Sequence, residues 1–341
     1  MGRNKTYYKK DLKEQAHDAL VAKLAPGESR HEAKLDGTAQ DKIFSYGTYK
    51  IYRRQCGYFV DWIRETYPNC TTLKNARKHR NEWLASLVDN NYSAWTVHTA
   101  SSALNKLYAI KLDDPSRFIP PPRRRCDIKR SRYPVANDAA ISMEKYGDMF
   151  AFVQATGLRR DVMTRLVGDD LWSRDRMMQV LEMLNDKGDL TRDEKRLRRS
   201  LREALDVFQG YDYFIHHRRD KGGRGRLSPI LPAYETQVID RMRQVGSDER
   251  VWPSLHATAD IHSYRAAYAT AIYNRHARDI ADIPYDKINQ GSGYQYQSQV
   301  YVCRNDARGR KLDKGAMYIC SKALGHNRIG IVASSYIRTT E

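Results

Sequence analysis

No run of about 18 apolar residues occurs anywhere in this chain, and the opening MGRNKTYYKK lacks the apolar core of a secretion signal. The expectation is a soluble, cytoplasmic protein without a membrane partner. Cysteine is also scarce: Cys56, Cys70, Cys126, Cys303 and Cys320 are odd in number and show no CxxC or Cys/His pair at zinc spacing. Neither a disulfide framework nor a metal site is indicated. Acidic charge is the third shortage, since 41 Asp and Glu face 59 Lys and Arg, a net charge of +18. A polyanion is the natural partner for such an excess, although charge alone does not choose between nucleic acid and an acidic membrane surface.

At 341 residues the chain is long for one domain, and two are expected. Residues 1–42 are polar and charged and read as an arm, with a helix around Leu12 to Leu24 that stops at Pro26-Gly27. Over residues 43–114 apolar side chains recur at helical spacing: Tyr52, Cys56, Phe59 and Ile63, then Trp83, Leu84, Leu87 and Val88, then Val97, Leu104, Leu107 and Tyr108. A small all-helical domain follows from that pattern. It carries Arg53, Arg54, Arg64, Lys74, Arg77, Lys78 and Arg80, either a solvated face or one side of a duplex-binding surface.

Residues 115–134, PSRFIPPPRRRCDIKRSRYP, form a stiff basic linker. Up to residue 134 there are 26 Lys and Arg against 14 Asp and Glu, and beyond it 33 against 27, so the cationic excess lies mainly in the first part. The candidate DNA-contacting set is therefore Arg53, Arg54, Arg77 and Lys78 with the linker's Arg123, Arg124, Arg125, Lys129 and Arg130.

Residues 135–341 mix helices with at least one hairpin. Tyr146, Met149, Phe150 and Val153 give a helical stripe ending at Thr156-Gly157, and Thr191 with Glu194 forms a capping-box pattern opening a highly charged helix. Tyr211 to Ile215 alternates like a strand, RDKGGRGR supplies a glycine turn with Lys221 at its tip, and Leu227 to Leu231 returns as the partner strand. The whole reads as a mainly α fold with a small β-hairpin or sheet, an α+β class.

Helical spacing puts His262 and Arg265 of HSYRAAYATAIY on one face, one turn apart, where both reach a single phosphate. Alone, such a pair is more often a surface salt bridge or a satisfied histidine. Its company alters the reading: Arg159 in ATGLRRDV and Lys221 in KGGRGRLSPI stand upstream, and LGHNRIGIVASSYIR brings His326 and Tyr336 downstream. Separately these are a helix-start surface pair, a basic loop, and a helix C-cap with Gly325 in a left-handed conformation.

Together, the order Arg, Lys, HxxR, LGH, Tyr closely resembles the tyrosine recombinase (phage-type integrase) family over roughly residues 150 to 338, and within it the integrases of bacterial mobile and conjugative elements. The helical region 43–114 and the basic linker also resemble that family's SAM-like core-binding domain, which leaves 135–341 as the catalytic domain. The resemblance implies that Arg159 and Arg265 clamp the non-bridging oxygens of the scissile phosphate, where charge builds in the pentavalent transition state. It implies that Tyr336 attacks to leave a 3′-phosphotyrosine, that Lys221 protonates the leaving 5′-oxygen, and that His262 and His326 bond the phosphate or move the nucleophile's proton. No cofactor, metal or ATP is then required. The implied partners are double-stranded recombination sites, a homo-tetramer working through a Holliday junction, and an accessory DNA-bending or directionality protein.

The chain departs from the family pattern in three places. Val162 stands where an acidic residue usually follows the first arginine by three positions, with Asp161 one place earlier. Sixty-one positions separate Arg265 from His326, so a segment containing NQGSGYQYQSQVYVCRNDARGRK adds a hairpin or loop that suits DNA or a protein interface equally. Five residues follow Tyr336, too few for the docking helix of many relatives, so subunit coupling would use another surface or the chain has lost its tail. Of 23 tyrosines, with Tyr301 and Tyr318 nearby, the resemblance makes Tyr336 the candidate nucleophile because it follows LGH at the family's approximate distance, ten positions being one more than the commonest form. Integration and excision of a mobile element is the leading reading, favoured over dimer resolution by the long arm, the insertion and the charged extra helix. A type IB topoisomerase predicts indiscriminate relaxation of supercoils, and a non-catalytic DNA-binding protein predicts decay of this residue set.

Overall fold

The computed structural model describes residues 10–124, 141–220, 225–285, 287–288, 295–296, 298–304 and 307–337. The chain divides into two compact units, Met1–Asp127 and Ile128–Glu341. Among the described residues no helix is long and apolar enough to cross a membrane.

The first unit is helical: α1 (Leu12–Val21), α2 (Arg30–Leu35), α3 (Tyr46–Thr66), α4 (Leu73–Ala76), α5 (Arg80–Asp89) and α6 (Ala94–Leu107). Short side-chain oxygens satisfy orphan amides at the helix starts, with Ser45, Thr72 and Ser93 each accepting from a backbone N–H one turn on. On α3, Cys56, Phe59, Val60 and Ile63 fall on one face and pack with Trp83, Leu84, Ala100, Ala103 and Leu104.

The segment expected to be an arm is part of this core from residue 12 onward. Leu12, Ala16 and Leu20 recur every fourth residue and are buried in the same cluster, and a reciprocal Asp11–Glu14 capping box starts α1. Gln15 fastens the helix further, donating to Thr71 O at 3.0 Å and accepting from Leu73 N at 3.1 Å. Leu20 is fully buried, so Leu20→Ala is expected to cost about 2–5 kcal/mol in urea unfolding. A loss below about 0.5 kcal/mol, as at an ordinary surface site, would return α1 to the status of a loose arm.

Two of the cations offered for a solvated or a duplex-facing side have structural partners. Arg80 is buried and donates to Ser116 O at 2.7 Å, and Arg64 pairs with Asp11 at 3.2 Å. The start of the basic linker lies along α6: His98 Nε2 donates to Pro121 O at 2.9 Å, and the Arg123 guanidinium sits 4.7 Å over the Trp95 ring. Arg125, Lys129 and Arg130 lie outside the described residues.

The second unit begins with α7 (Met143–Thr156) and α8 (Arg160–Met163). It continues through β1 (Leu171–Ser173), α9 (Arg174–Asp186), α10 (Arg192–Val207), β2 (Tyr213–His217), β3 (Arg226–Pro229), α11 (Glu235–Arg243) and α12 (Ile261–His276). After them come β4 (Lys287–Ile288), β5 (Gln295–Tyr296), β6 (Val300–Val302), β7 (Lys311–Asp313), α13 (Lys314–Ala323) and α14 (Ile329–Ser335). The fold is mainly α with small antiparallel sheets, as the sequence predicts.

β1, β2 and β3 form an antiparallel sheet in that order, with Trp172 opposite Phe214 and Ile215 opposite Ser228. The paired helices α9 and α10 connect β1 to β2, and the expected Thr191–Glu194 capping box starts α10. The inserted region forms two short ladders, β4 with β5 and β6 with β7. α12 packs against α7 and against α13. It accordingly buries a broad face, Arg265, Tyr268, Ala269 and Ile272 among its residues.

Candidate active site

Three chain reversals aim the candidate side chains at one place. The first ends α7 at Gly157, whose φ of +60° is left-handed and whose N–H donates to Val153 O at 2.8 Å. The chain then turns, and Arg159 becomes the residue that begins α8. The second reversal ends α13. Gly325 N donates to Lys322 O at 2.9 Å and His326 N to Ser321 O at 2.8 Å, with Gly325 at φ +67°. This is a Schellman turn, and it sets His326 just beyond the helix. The third is the end of α14, where Tyr336 is the capping residue and its N–H donates to Val332 O.

Arg265, projecting from α12, is 1% exposed. Its Nη1 donates to Gly157 O and its Nη2 to Leu324 O, the latter at 2.5 Å, so one guanidinium joins the first two reversals. Its Cζ lies 5.7 Å from the centre of the Tyr336 ring. Arg159 Nη2 reaches the same Leu324 O at 3.4 Å. The His326 Nε2 and Tyr336 hydroxyl are 3.2 Å apart, and the His262 ring is centred 6.1 Å from that of Tyr336. Tyr336 is 7% exposed, whereas His262, in the first turn of α12, is exposed.

Arg159 finds its acid far away in sequence. Asp220, just beyond β2, accepts from Arg159 Nη1 and from Arg226 Nε, the latter at 2.8 Å. Asp161 instead pairs with Arg165 at 2.8 Å, and Val162 is buried in the core around α7. Behind Asp220 lies His217, 1% exposed, with Nδ1 3.9 Å from Asp220 Oδ2 and Nε2 2.7 Å from Ser228 Oγ.

Burial dominates the electrostatics. It pushes Arg265 down to about 10, helped by Arg226 and Arg159, and the group is still a cation at neutral pH. Burial, then the charges of Arg265, Arg159 and Arg226, push His326 down to about 4. A neutral imidazole whose Nε2 faces a tyrosine hydroxyl accepts that proton in the Nδ1–H tautomer. His217 is held well below the ordinary histidine range by burial first and Arg226 second.

Because the folded pKa of His326 lies below its unfolded value, the unfolded chain binds more protons between the two. Its contribution to stability is complete above about pH 6.5 and is lost as pH falls toward about 4. The ring protons of His326 are accordingly expected to titrate near 4 in NMR spectra of the free protein. A midpoint near 6.5 would mean that the imidazole is far more hydrated than its surroundings imply.

No protein-family model matches the chain, and no curated protein matches it. Among solved structures it is similar to a fragment of the Tn1549 transposon integrase in complex with circular intermediate DNA. That match has 11% identity and a TM-score of 0.37 over 95% of this chain and 96% of that one. It is also similar to a variant of that fragment in complex with transposon right end DNA, with 10% identity and a TM-score of 0.34 over 97% and 96%.

Of the site residues expected from sequence, Arg159, Arg265, His326 and Tyr336 meet within one cluster, and His262 stands at its rim. Lys221 lies outside the described residues. Arg53, Arg54, Arg77, Lys78, Arg123 and Arg124 are exposed on the first unit. Asp220, Arg226 and His217 were not expected. Two of them sit inside the quoted RDKGGRGR segment, where a dense run of charge hides which members turn inward.

Proposed function

We propose that the chain is a site-specific tyrosine recombinase that integrates and excises a mobile genetic element. The observation that carries this reading is a tyrosine hydroxyl held against a neutral imidazole, with two arginines of the same cluster joined to the turn that bears the imidazole. That is the equipment for making an alkoxide-like nucleophile beside an anion. His326 takes the Tyr336 proton as the phenolic oxygen attacks phosphorus. Arg159 and Arg265 hold the non-bridging oxygens while charge accumulates on them. As the phosphorus–oxygen bond to the 5′ side breaks, Lys221 supplies that oxygen's proton, leaving a 3′-phosphotyrosine. A 5′-hydroxyl from the exchanging strand then reverses the steps and releases the tyrosine. His262 bonds the phosphate from the exposed rim.

The cations of the first unit, Arg53, Arg54, Arg77, Lys78, Arg123 and Arg124, with Arg125, Lys129 and Arg130 of the linker, track the phosphate backbone. Four protomers acting on two sites and an accessory bending protein complete the proposed assembly.

The test uses nicked duplexes drawn from the DNA on either side of the coding sequence, labelled at one end or the other and incubated with the protein and a chelator. A denaturant-resistant adduct carrying the 5′-labelled segment is expected, because the 3′-phosphate stays on the enzyme. An adduct that keeps the 3′-labelled segment instead, or none across the whole set, rejects the reading.

A further inference from the structure

Arg226 was no part of the site expected from sequence, yet its contacts are those of the residues around it. It opens β3, opposite His217 in the sheet register. Its side chain is 13% exposed, with Nε donating to Asp220 Oδ2 at 2.8 Å and Nη1 to Ala323 O at 2.7 Å. Its Nη2 is buried and has no hydrogen-bond partner among the described residues. The guanidinium also fills the space beside Gly325, where an added Cβ would meet Nε at 2.6 Å and Cδ at 2.8 Å. A glycine is thus required at 325 twice over, by its positive φ and by the arginine pressed against it.

These contacts converge on one short segment. Ala323 O is held by Arg226, and Leu324 O by Arg265 and Arg159. The next two residues are the glycine of the turn and His326. Asp220 ties the first arginine to the third, because it accepts from both Arg159 and Arg226. Burying a guanidinium is costly unless its donors are matched, and two of the three Arg226 nitrogens are matched, one to this turn and one to this carboxylate.

We infer that Arg226 is a positioning residue, seating the 323–326 turn so that His326 Nε2 faces the Tyr336 hydroxyl. The inference rests on the recombinase reading for its consequence in catalysis, and on the structure alone for its effect on His326. Charge supports it as well, since Arg226 is one of the cations that depress the His326 pKa, with Arg265 and Arg159 acting the same way and Asp220 opposing them.

A double-mutant cycle separates positioning from plain scaffolding. Covalent-complex formation would be timed at saturating nicked DNA, and DNA affinity measured separately, for Arg226→Met, Arg226→Lys, His326→Gln and the Arg226→Met/His326→Gln double variant. Arg226→Met is expected to slow cleavage about 10²-fold, the scale of a misplacement of about 1 Å, with affinity changed by less than about threefold. Arg226→Lys, which keeps a cation for Asp220 but cannot also reach the carbonyl, should recover part of the rate. The double variant should be no slower than its slower parent. Multiplicative losses in the double variant, or a fall in affinity as large as the fall in rate, overturn the inference.

His326 NMR titration of the free proteins gives the readout that needs no DNA. Arg226→Met should move the His326 midpoint upward from about 4, and an unchanged midpoint counts against the inference. A wild-type protein that makes no adduct, alongside a midpoint that moves, shows that the recombinase reading has failed while the positioning stands. Should Arg226→Met not fold, Arg226→Lys enters the same cycle and titration in its place.

Discussion

Tyr336→Phe is expected to form no covalent complex with nicked DNA, a loss of at least about 10⁴-fold in strand cleavage, the scale on which removal of a nucleophile acts. The fold should barely notice. The substitution removes one oxygen, bonded at 3.2 Å to a half-exposed histidine that water can serve instead, and leaves the buried ring in its cluster. Unfolding free energy is therefore expected to stay within about 1 kcal/mol of wild type. DNA affinity should persist too, since phosphate contacts by the cations do not involve the hydroxyl. A gel of denatured complexes and a urea melt, run on the same preparation, provide the check. Adduct that survives in Tyr336→Phe would transfer the nucleophile's role to another tyrosine, Tyr318 first, because its side chain is exposed on the neighbouring α13.

Gly157→Ala should be nearly as damaging by a different route. An alanine at φ +60° pays for the left-handed backbone with about 1–2 kcal/mol. Its Cβ would also lie 2.2 Å from Tyr268 Cδ1, far inside contact distance. That ring has nowhere to go: Tyr268 is fully buried and its hydroxyl donates to Pro229 O at 2.7 Å. Overpacking of this kind adds about 1–3 kcal/mol, for an expected total near 3 kcal/mol or more. Gly157 O also accepts from Arg265, so the surviving folded molecules should cleave slowly. Gly147→Ala is the contrasting case, since this glycine lies within α7 with nothing near its Cβ position, and about 0.5–1 kcal/mol of stabilisation is expected. Urea unfolding of both variants checks the pair, and equal effects of the same sign would show that neither site behaves as its geometry implies.

The elements that could be read from sequence were those whose signals are local. The stripe Tyr146, Met149, Phe150, Val153 with Gly157 after it is a complete helix-and-stop statement, and α7 ends at that glycine. The Thr191–Glu194 box is equally self-contained, whereas the strand expected over 211–215 lies two residues further on, at Tyr213–His217. The spacing of His262 and Arg265, and the LGH turn, likewise needed only helix geometry. Buried charge is different. Whether Arg226 or Asp220 points inward depends on β3 packing against α13, whose Ala323 is 97 positions from Arg226 in the chain. Arg80 and Arg64 show the converse, being cations in a basic region whose donors serve Ser116 and Asp11. Residues 12–24 misled because a short helix rich in Lys, Glu and Asp looks unanchored until α3 is beside it.

The guanidinium of Arg265 is held by a carbonyl at position 157 and another at position 324, and the candidate nucleophile follows only at 336. On the proposed function, then, a polypeptide that has emerged through α12 holds both clamping arginines and still lacks its nucleophile. The helix that ends at Tyr336, α14, packs against α13, so the candidate nucleophile has a seat only once α13 has formed. On the proposed function, a chain deprived of the turn that bears Tyr336 would keep the cations that meet DNA and lose its nucleophile.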